Sequence, residues 1–230
     1  MNLEEQIYVR KSCRKYSDEE VDFECIYAFM DNVKALDESI DYHFDILNAD
    51  EIKSRTPWSA PYYMAIYSQK KNNYLENIGF VFQQLSLYLQ SENIGNCWVG
   101  MASPKIKNDD FVITISFGKS NDLTRDRSRF RRKPLSNISN VEDERLIPAQ
   151  LAPSAANSQP WYFKSCDEGF DVYQLKANIL KRKFLKNMNQ IDMGICLAHM
   201  YVSNEKSFDF HKKSNFESIK NASYTGSIKI

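Results

Sequence analysis

Leu151-Ala-Pro-Ser-Ala-Ala-Asn-Ser-Gln-Pro-Trp161 joins a segment that reads as helix to one that reads as strand. Pro153 and Pro160 fix φ and remove two backbone donors, so the stretch is a shaped loop rather than a continuing element. Ser154, Asn157, Ser158 and Gln159 bring donors and acceptors without net charge. Such a surface suits a ligand edge that mixes donors and acceptors, as a heterocyclic ring does. Taken alone, the stretch also reads as a structural turn between a helix stop and a strand start.

Outward from this loop, the chain divides into two similar halves. In the first, Ser17-Asp-Glu-Glu20 has a capping-box pattern, and apolar residues at spacings of three and four from Phe23 to Leu36 predict a helix. Short strands are expected at His43–Leu47 and Tyr62–Tyr67. A strong helix is expected from Glu76 to about Glu92, closed by Gly95, with buried strands at Cys97–Met101 and Phe111–Phe117. In the second half, Arg129-Phe-Arg-Arg-Lys-Pro-Leu-Ser136 aligns with Arg10-Lys-Ser-Cys-Arg-Lys-Tyr-Ser17, and a helix is expected from Val141 to Leu151. Asp192-Met-Gly-Ile195 likewise aligns with Asn77-Ile-Gly-Phe80. The shared order suggests a duplication packed as a pseudo-two-fold unit. Uneven alternation of helices and strands predicts an α+β sandwich around one sheet. The polar tail from about Thr225 reads as loosely ordered.

Composition excludes several classes. Formal net charge is zero, with 43% hydrophobic and 13% aromatic residues, so no global field favours nucleic acid or a membrane surface. No apolar run is long enough to span a bilayer, and the N-terminus lacks secretory features. Five scattered cysteines read as reduced thiols in the cytoplasm. Cys196 and His199 share a helix face without a second ligand pair, so no metal site is expected. Seven glycines form neither a dinucleotide fingerprint nor a P-loop, so side chains would have to grip any nucleotide-like ligand.

Charge concentrates in two places. Arg10, Lys11 and Arg14, with Ser12 between them, suit a phosphate monoester. Arg125 to Lys133 is denser and open to three roles: a solvated linker, a share in phosphate binding, or a nucleic-acid stripe. No Ser-His-Asp, Cys-His or paired-carboxylate set is visible, and the three histidines read as structural. A phosphate grip and an amide-rich loop without acid–base machinery leave the hard chemistry to a cofactor.

Arg10-Lys-Ser-Cys-Arg14 resembles the N-terminal Arg-Arg-Ser-x-Arg signature of the nitroreductase family, and Ala152-Pro-Ser-Ala-Ala-Asn-Ser-Gln-Pro-Trp161 resembles its Ala-Pro-Ser-x-x-Asn-x-Gln-Pro-Trp signature. Arg131-Arg-Lys-Pro134 is similar to its basic Arg-x-Lys-Pro segment; Ile94–Gly100 and Ile191–Ile195 are weaker echoes. About 140 residues separate the two main signatures, as in the duplicated, single-chain branch of the family. The resemblance implies a nitroreductase-like fold, with a central mixed or antiparallel sheet flanked by helices. Residues 1–230 would form one domain, its pseudo-repeats (about 1–128 and 129–230) mimicking the family homodimer.

By the same resemblance, Arg10, Lys11, Ser12 and Arg14 would hold the phosphate and ribityl chain of FMN, assisted by Arg131 and Lys133. Pro153, Ser154, Ala155, Asn157 and Gln159 would line the flavin. Lys11 stands where arginine is commoner, keeping charge but losing the fork. Segments Asn96–Met101 and Ser120–Arg127 are candidates for the backbone donors facing the ring. The mirror-related site, with His43-Phe44 in place of the proline-rich loop, would be degenerate, leaving one FMN per chain. The implied activity is NAD(P)H oxidation coupled to reduction of a nitroaromatic, quinone or similar small acceptor in a ping-pong cycle. The alternative on the same scaffold is a flavin-binding sensor or carrier without turnover. Expected partners are small molecules, not nucleic acid or membrane, and the chain would be a monomeric pseudo-dimer or weak homodimer.

Overall fold

Two four-stranded antiparallel sheets and a central pair of long helices make up the computed structural model, which describes residues 2–177 and 179–230. The first half contains α1 (Leu3–Val9), α2 (Glu24–Met30), β1 (Tyr42–Asn48), β2 (Ile52–Ser54), β3 (Tyr62–Ser68), α3 (Tyr74–Ser91), β4 (Ile94–Val99), β5 (Ala102–Pro104) and β6 (Phe111–Lys119). The second contains α4 (Ile147–Leu151), β7 (Trp161–Cys166), β8 (Gly169–Leu175), α5 (Ile179–Ser203), β9 (Asp209–His211) and β10 (Ala222–Lys229). One sheet has the order β1-β3-β6-β4, the other β7-β8-β10-β9, and β2 pairs with β5 apart from both. Leaving that small pair aside, both halves run strand–strand–helix–strand–strand and insert the last strand between the second and third.

α3 is buried from Leu75 to Gln90. A helix enclosed on all sides must satisfy most of its polar groups internally. In α3 several glutamines and a serine are satisfied in this way, whereas one Glu76 carboxylate oxygen is buried without a partner among the described residues. Gln84 Nε2 donates to the Lys34 and Phe80 carbonyls, and Ser86 Oγ donates to Asn96 Oδ1 at 2.6 Å. Gln83 Oε1 accepts from Trp98 Nε1, and its amide nitrogen lies 3.0 Å from His199 Nε2. The other ring nitrogen of His199 meets the Pro148 carbonyl, so this histidine is a satisfied core residue.

α3 and α5 meet at two glycines, one from each. A Cβ on Gly79 would lie 2.0 Å from the Ile191 carbonyl oxygen, and one on Gly194 would lie 1.9 Å from that of Glu76. The aligned Asn77-Ile-Gly and Asp192-Met-Gly segments therefore face each other at one crossing.

Several local expectations fail for tertiary reasons. The architecture has two main sheets, not one, because each half keeps its own hydrogen-bonded ladder. The Ser17 N–H donates to the Lys119 carbonyl, extending the β6 ladder instead of starting a helix, and α2 begins only at Glu24. α2 ends at Met30, and Asn77 holds the chain that follows at Leu36 and Asp37. Pro148 at its first turn confines α4 to five residues. Asn93, at φ 57°, supplies the left-handed residue after α3, whereas Gly95 lies within β4. The polar tail is an ordered strand, β10, between β8 and β9. Among the described residues, no helix is long and apolar enough to cross a membrane, and no group of metal-ligating side chains occurs.

Candidate functional site

The chain leaving α1 is laid along the C-terminal end of α3 by hydrogen bonds to its backbone. The Lys11 N–H donates to Gln90 Oε1 at 3.4 Å and the Cys13 N–H to the Asn96 carbonyl at 2.9 Å. On the other side the Arg125 N–H donates to the Val9 carbonyl, and Arg10 bridges Thr124. These contacts gather segments 10–14, 94–97 and 123–125, which include parts of both candidate ring-facing stretches.

Cations concentrate where the segments meet. Arg10 is only 3% exposed, and its guanidinium donates a long hydrogen bond to Ser12 Oγ, 3.4 Å. Burial first, then the charges of Arg132 and Arg125, pushes its pKa down to about 9. Arg132 is lowered to about 10 by burial and by Arg125, and Arg125 is lowered by burial and by Arg14. Arg125 and Arg132 both lie over the Phe130 ring. Among the described residues, no carboxylate reaches ion-pair distance of these four arginines. Asp122 pairs instead with Lys11. Burial raises the nearby Cys97 thiol, and holds His199 neutral with a pKa of about 3. Arg125 Nε is buried without a hydrogen-bond partner. A buried guanidinium such as that of Arg10, with half-buried Arg125 and Arg132 beside it and no counter-anion, is costly, so the arrangement fits a multiply charged anion such as a phosphate monoester.

Arg132 ties this cluster to the 151–161 loop. Its Nη1 donates to Asn157 Oδ1 at 2.7 Å, while its Nε and Nη2 both donate to the Leu151 carbonyl. Much of the loop's polar capacity is turned on the loop itself. Asn157 Nδ2 donates to the Arg131 carbonyl, and Gln159 Oε1 accepts from the Lys133 N–H. Lys133 Nζ donates to the Ser158 and Gln159 carbonyls, and Ser154 Oγ accepts from the Gln159 N–H. Ala156, Asn157 and Gln159 adopt φ of 49°, 53° and 45°, a left-handed conformation that non-glycine residues occupy at a cost. The hydrogen bonds therefore hold a strained, fixed wall.

α5 anchors that wall through Asp192, 3% exposed, whose carboxylate accepts from the Ala155 N–H at 3.0 Å and from Ser158 Oγ at 3.4 Å. Asn77, at the aligned position on α3, does the same for the first half, with Oδ1 accepting from the Leu36 and Asp37 N–H groups. Burial pushes Asp192 up to about 7 despite these bonds. The folded state then binds more protons than the unfolded chain between about pH 4 and about pH 7, so this group makes stability fall as pH rises through that window. Asp192→Asn is expected to remove the slope while keeping the loop, as Asn77 does naturally. Asp192→Ala should cost about 1–3 kcal/mol by stranding buried donors. Denaturant midpoints across the window check this; an unchanged slope in Asp192→Asn excludes Asp192 as its source.

The sequence-predicted residues thus take distinct positions. Arg10 and Arg14 belong to the cation cluster, with Ser12 beside Arg10 and Lys11 paired to Asp122. Pro153, Ser154 and Ala155 are partly exposed, Asn157 is exposed, and Gln159 is buried as internal scaffolding. Arg131 points its charge to solvent and offers only its carbonyl; Lys133 staples the loop. Arg132, Arg125 and Asp192 were missed. The two arginines lay within the quoted basic run, but nothing local distinguishes the inward-facing members; Asp192 carried a signal in its alignment with Asn77.

Comparison with known proteins agrees with this architecture. A crystallised protein of Thermotoga maritima MSB8, described as a "putative nitroreductase", shares the fold with a TM-score of 0.67 and 21% identity, covering 94% of this chain and 91% of that one. A nitroreductase family protein of Clostridium novyi NT aligns over 53% of this chain and 87% of its own, at 18% identity and a TM-score of 0.44. No curated protein matches the chain significantly. The family model described as "Putative TM nitroreductase" matches residues 2–204, nearly the whole chain, and the protein belongs to that nitroreductase family.

Proposed function

We propose that the chain is an FMN-dependent oxidoreductase that takes hydride from NAD(P)H and delivers electrons to a nitroaromatic, quinone or similar planar acceptor. Family membership supports the oxidoreductase class. The observation that carries the cofactor assignment is the buried Arg10 among Arg14, Arg125 and Arg132 without a carboxylate. When bound, the isoalloxazine of FMN supplies the redox chemistry. The four arginines would hold its phosphate through charge-assisted bonds, in a setting that strengthens them. Lys11 and Ser12 would complete the rim. Pro153 to Gln159, braced by Arg132, Lys133 and Asp192, would form a wall that keeps its shape when ligands exchange, lowering the ordering cost of binding. We read the shared strand order and the paired glycines as an internal duplication, which lets one chain supply both the phosphate grip and the wall.

An absorption spectrum of the purified protein tests this. Flavin bands bleached anaerobically by NADH or NADPH, and restored by a quinone or nitroaromatic, are expected. Colour that neither nucleotide bleaches would leave a carrier or sensor. Arg14→Ala and Arg132→Ala should each weaken FMN binding by about tenfold or more. Unchanged binding in both would remove the arginine cluster from the cofactor site.

A further inference from the structure

Each of the two main sheets has two edge strands, and three of these four edges are covered or short. On β4 the Asn96 carbonyl accepts from the Cys13 N–H. On β7 the Phe163 N–H donates to the Ile138 carbonyl, and the Phe163 carbonyl accepts from the Asn140 N–H. β9 is only three residues long. β1 is the exception. It runs for seven residues in unbroken register with β3, without a bulge, a proline or a lysine. Outside that ladder, the one β1 backbone group with a hydrogen bond among the described residues is the Asn48 N–H, which donates to Glu51 at 2.9 Å. A long, regular edge with free N–H and C=O groups is a template for a further strand.

The side chains of β1 select which strand. Tyr42 and Phe44 face the core and meet Phe82 edge-on, at 5.8 and 6.1 Å. His43 and Asp45 alternate with them, are exposed, and form no ion pair among the described residues. His43 stacks on Tyr67, its neighbour on β3. In an antiparallel self-pair centred on Phe44, His43 of each chain stands opposite Asp45 of the other, so an imidazole donor meets a carboxylate twice. Centring the pair one residue either way sets Asp45 against Asp45 or His43 against His43. Tyr27, 48% exposed, stacks on Phe44 at 5.3 Å and adds aromatic surface beside the axis.

We propose that β1 is a dimerisation edge, through which two copies of this chain pair antiparallel about a two-fold axis at Phe44. Their four-stranded first sheets then join into one continuous sheet. Such an interface uses the same patch twice and closes at two chains. Its small extent makes the association reversible. It uses no residue of the arginine cluster or the 151–161 loop, so it stands whether or not flavin binds.

Sedimentation equilibrium of the purified protein across the micromolar range, at low ionic strength, tests this. A reversible monomer–dimer equilibrium that weakens as salt is added is expected. His43→Asp sets carboxylates opposite one another, and Asp45→Lys sets an ammonium against the imidazole. Each should weaken dimerisation about tenfold or more. Mixed in equal amounts, the two variants should form dimers again, because each supplies the charge that the other lacks. Circular dichroism matching wild type shows that both variants keep the fold. Monomers throughout, a species larger than a dimer, undisturbed dimers in both variants, or no recovery in the mixture would each overturn the proposal.

Discussion

Arg10→Met is expected to make the ligand-free protein more stable and, at the same time, to abolish its hold on FMN. The two effects share one cause. Arg10 is buried beside Arg125 and Arg132, and its pKa falls to about 9 because the folded state disfavours its charge. At neutral pH the charge is retained and the folded state carries the whole penalty, which is relieved only as pH rises through about 9 toward the unfolded value. A displacement of this size corresponds to on the order of 5 kcal/mol. Methionine keeps much of the packing volume and removes the charge, so the apo midpoint in denaturant should rise. A bound phosphate reverses the balance, because the same burial then strengthens a charge-assisted contact. Its loss should weaken FMN about 100-fold or more, in the range found when one partner of a buried charge pair is removed. Riboflavin, which lacks the phosphate, should bind wild type and Arg10→Met alike. Denaturation of the apo forms and fluorescence titration with both flavins check the pair of effects. If Arg10→Met destabilises the apo protein and leaves FMN affinity intact, Arg10 is a structural residue and the phosphate site lies elsewhere.

This opposition between stability and binding also explains how much of the site was legible in the sequence. The 151–161 loop announced itself by polar capacity and proline content. In the fold, much of that capacity is consumed in holding Ala156, Asn157 and Gln159 at positive φ, so its density reported strain as well as recognition. The basic run was equally visible. Which of its cations turn inward depends on contacts made across the fold: Arg132 reaches Leu151 and Asn157, whereas Arg131 meets solvent. Secondary structure was legible where burial pattern and propensity agreed, as in α3, β1, β3 and β6. It failed where partners distant in sequence claim the backbone. Ser17 carries a local capping signal, yet its N–H is used by β6. β10 is polar and contains a glycine, and becomes a strand because β8 and β9 flank it. The alignment of Asn77-Ile-Gly79 with Asp192-Met-Gly194 was a long-range clue: the two glycines meet at one helix crossing, and Asn77 and Asp192 each hold a loop.

Those glycines carry the second large expectation, because they set the distance between the helices that hold the loops before β1 and before β7. Gly79→Ala would drive a methyl to 2.0 Å from the Ile191 carbonyl oxygen, and Gly194→Ala to 1.9 Å from that of Glu76. The obstructing atoms are helix backbone, so no rotamer change relieves the clash and α3 must move away from α5. Alanine's higher helix propensity returns only about 1 kcal/mol. Overpacking that opens the central interface should exceed this, leaving each variant about 3 kcal/mol or more less stable and lowering its Tm by about 6–12 °C. The double variant should be less destabilised than the sum of the two, since one displacement of the helices accommodates both methyls. The displacement also shifts Asp192 away from Ala155 and Asn77 away from Leu36, so the two loops that they hold loosen together. Weaker FMN binding is therefore expected in both variants, although neither glycine lies in the arginine cluster. Thermal unfolding with a double-mutant cycle, alongside FMN titration, measures this coupling. Fully additive losses, or undiminished FMN affinity in a destabilised variant, would mean that the helix spacing and the loops are independent.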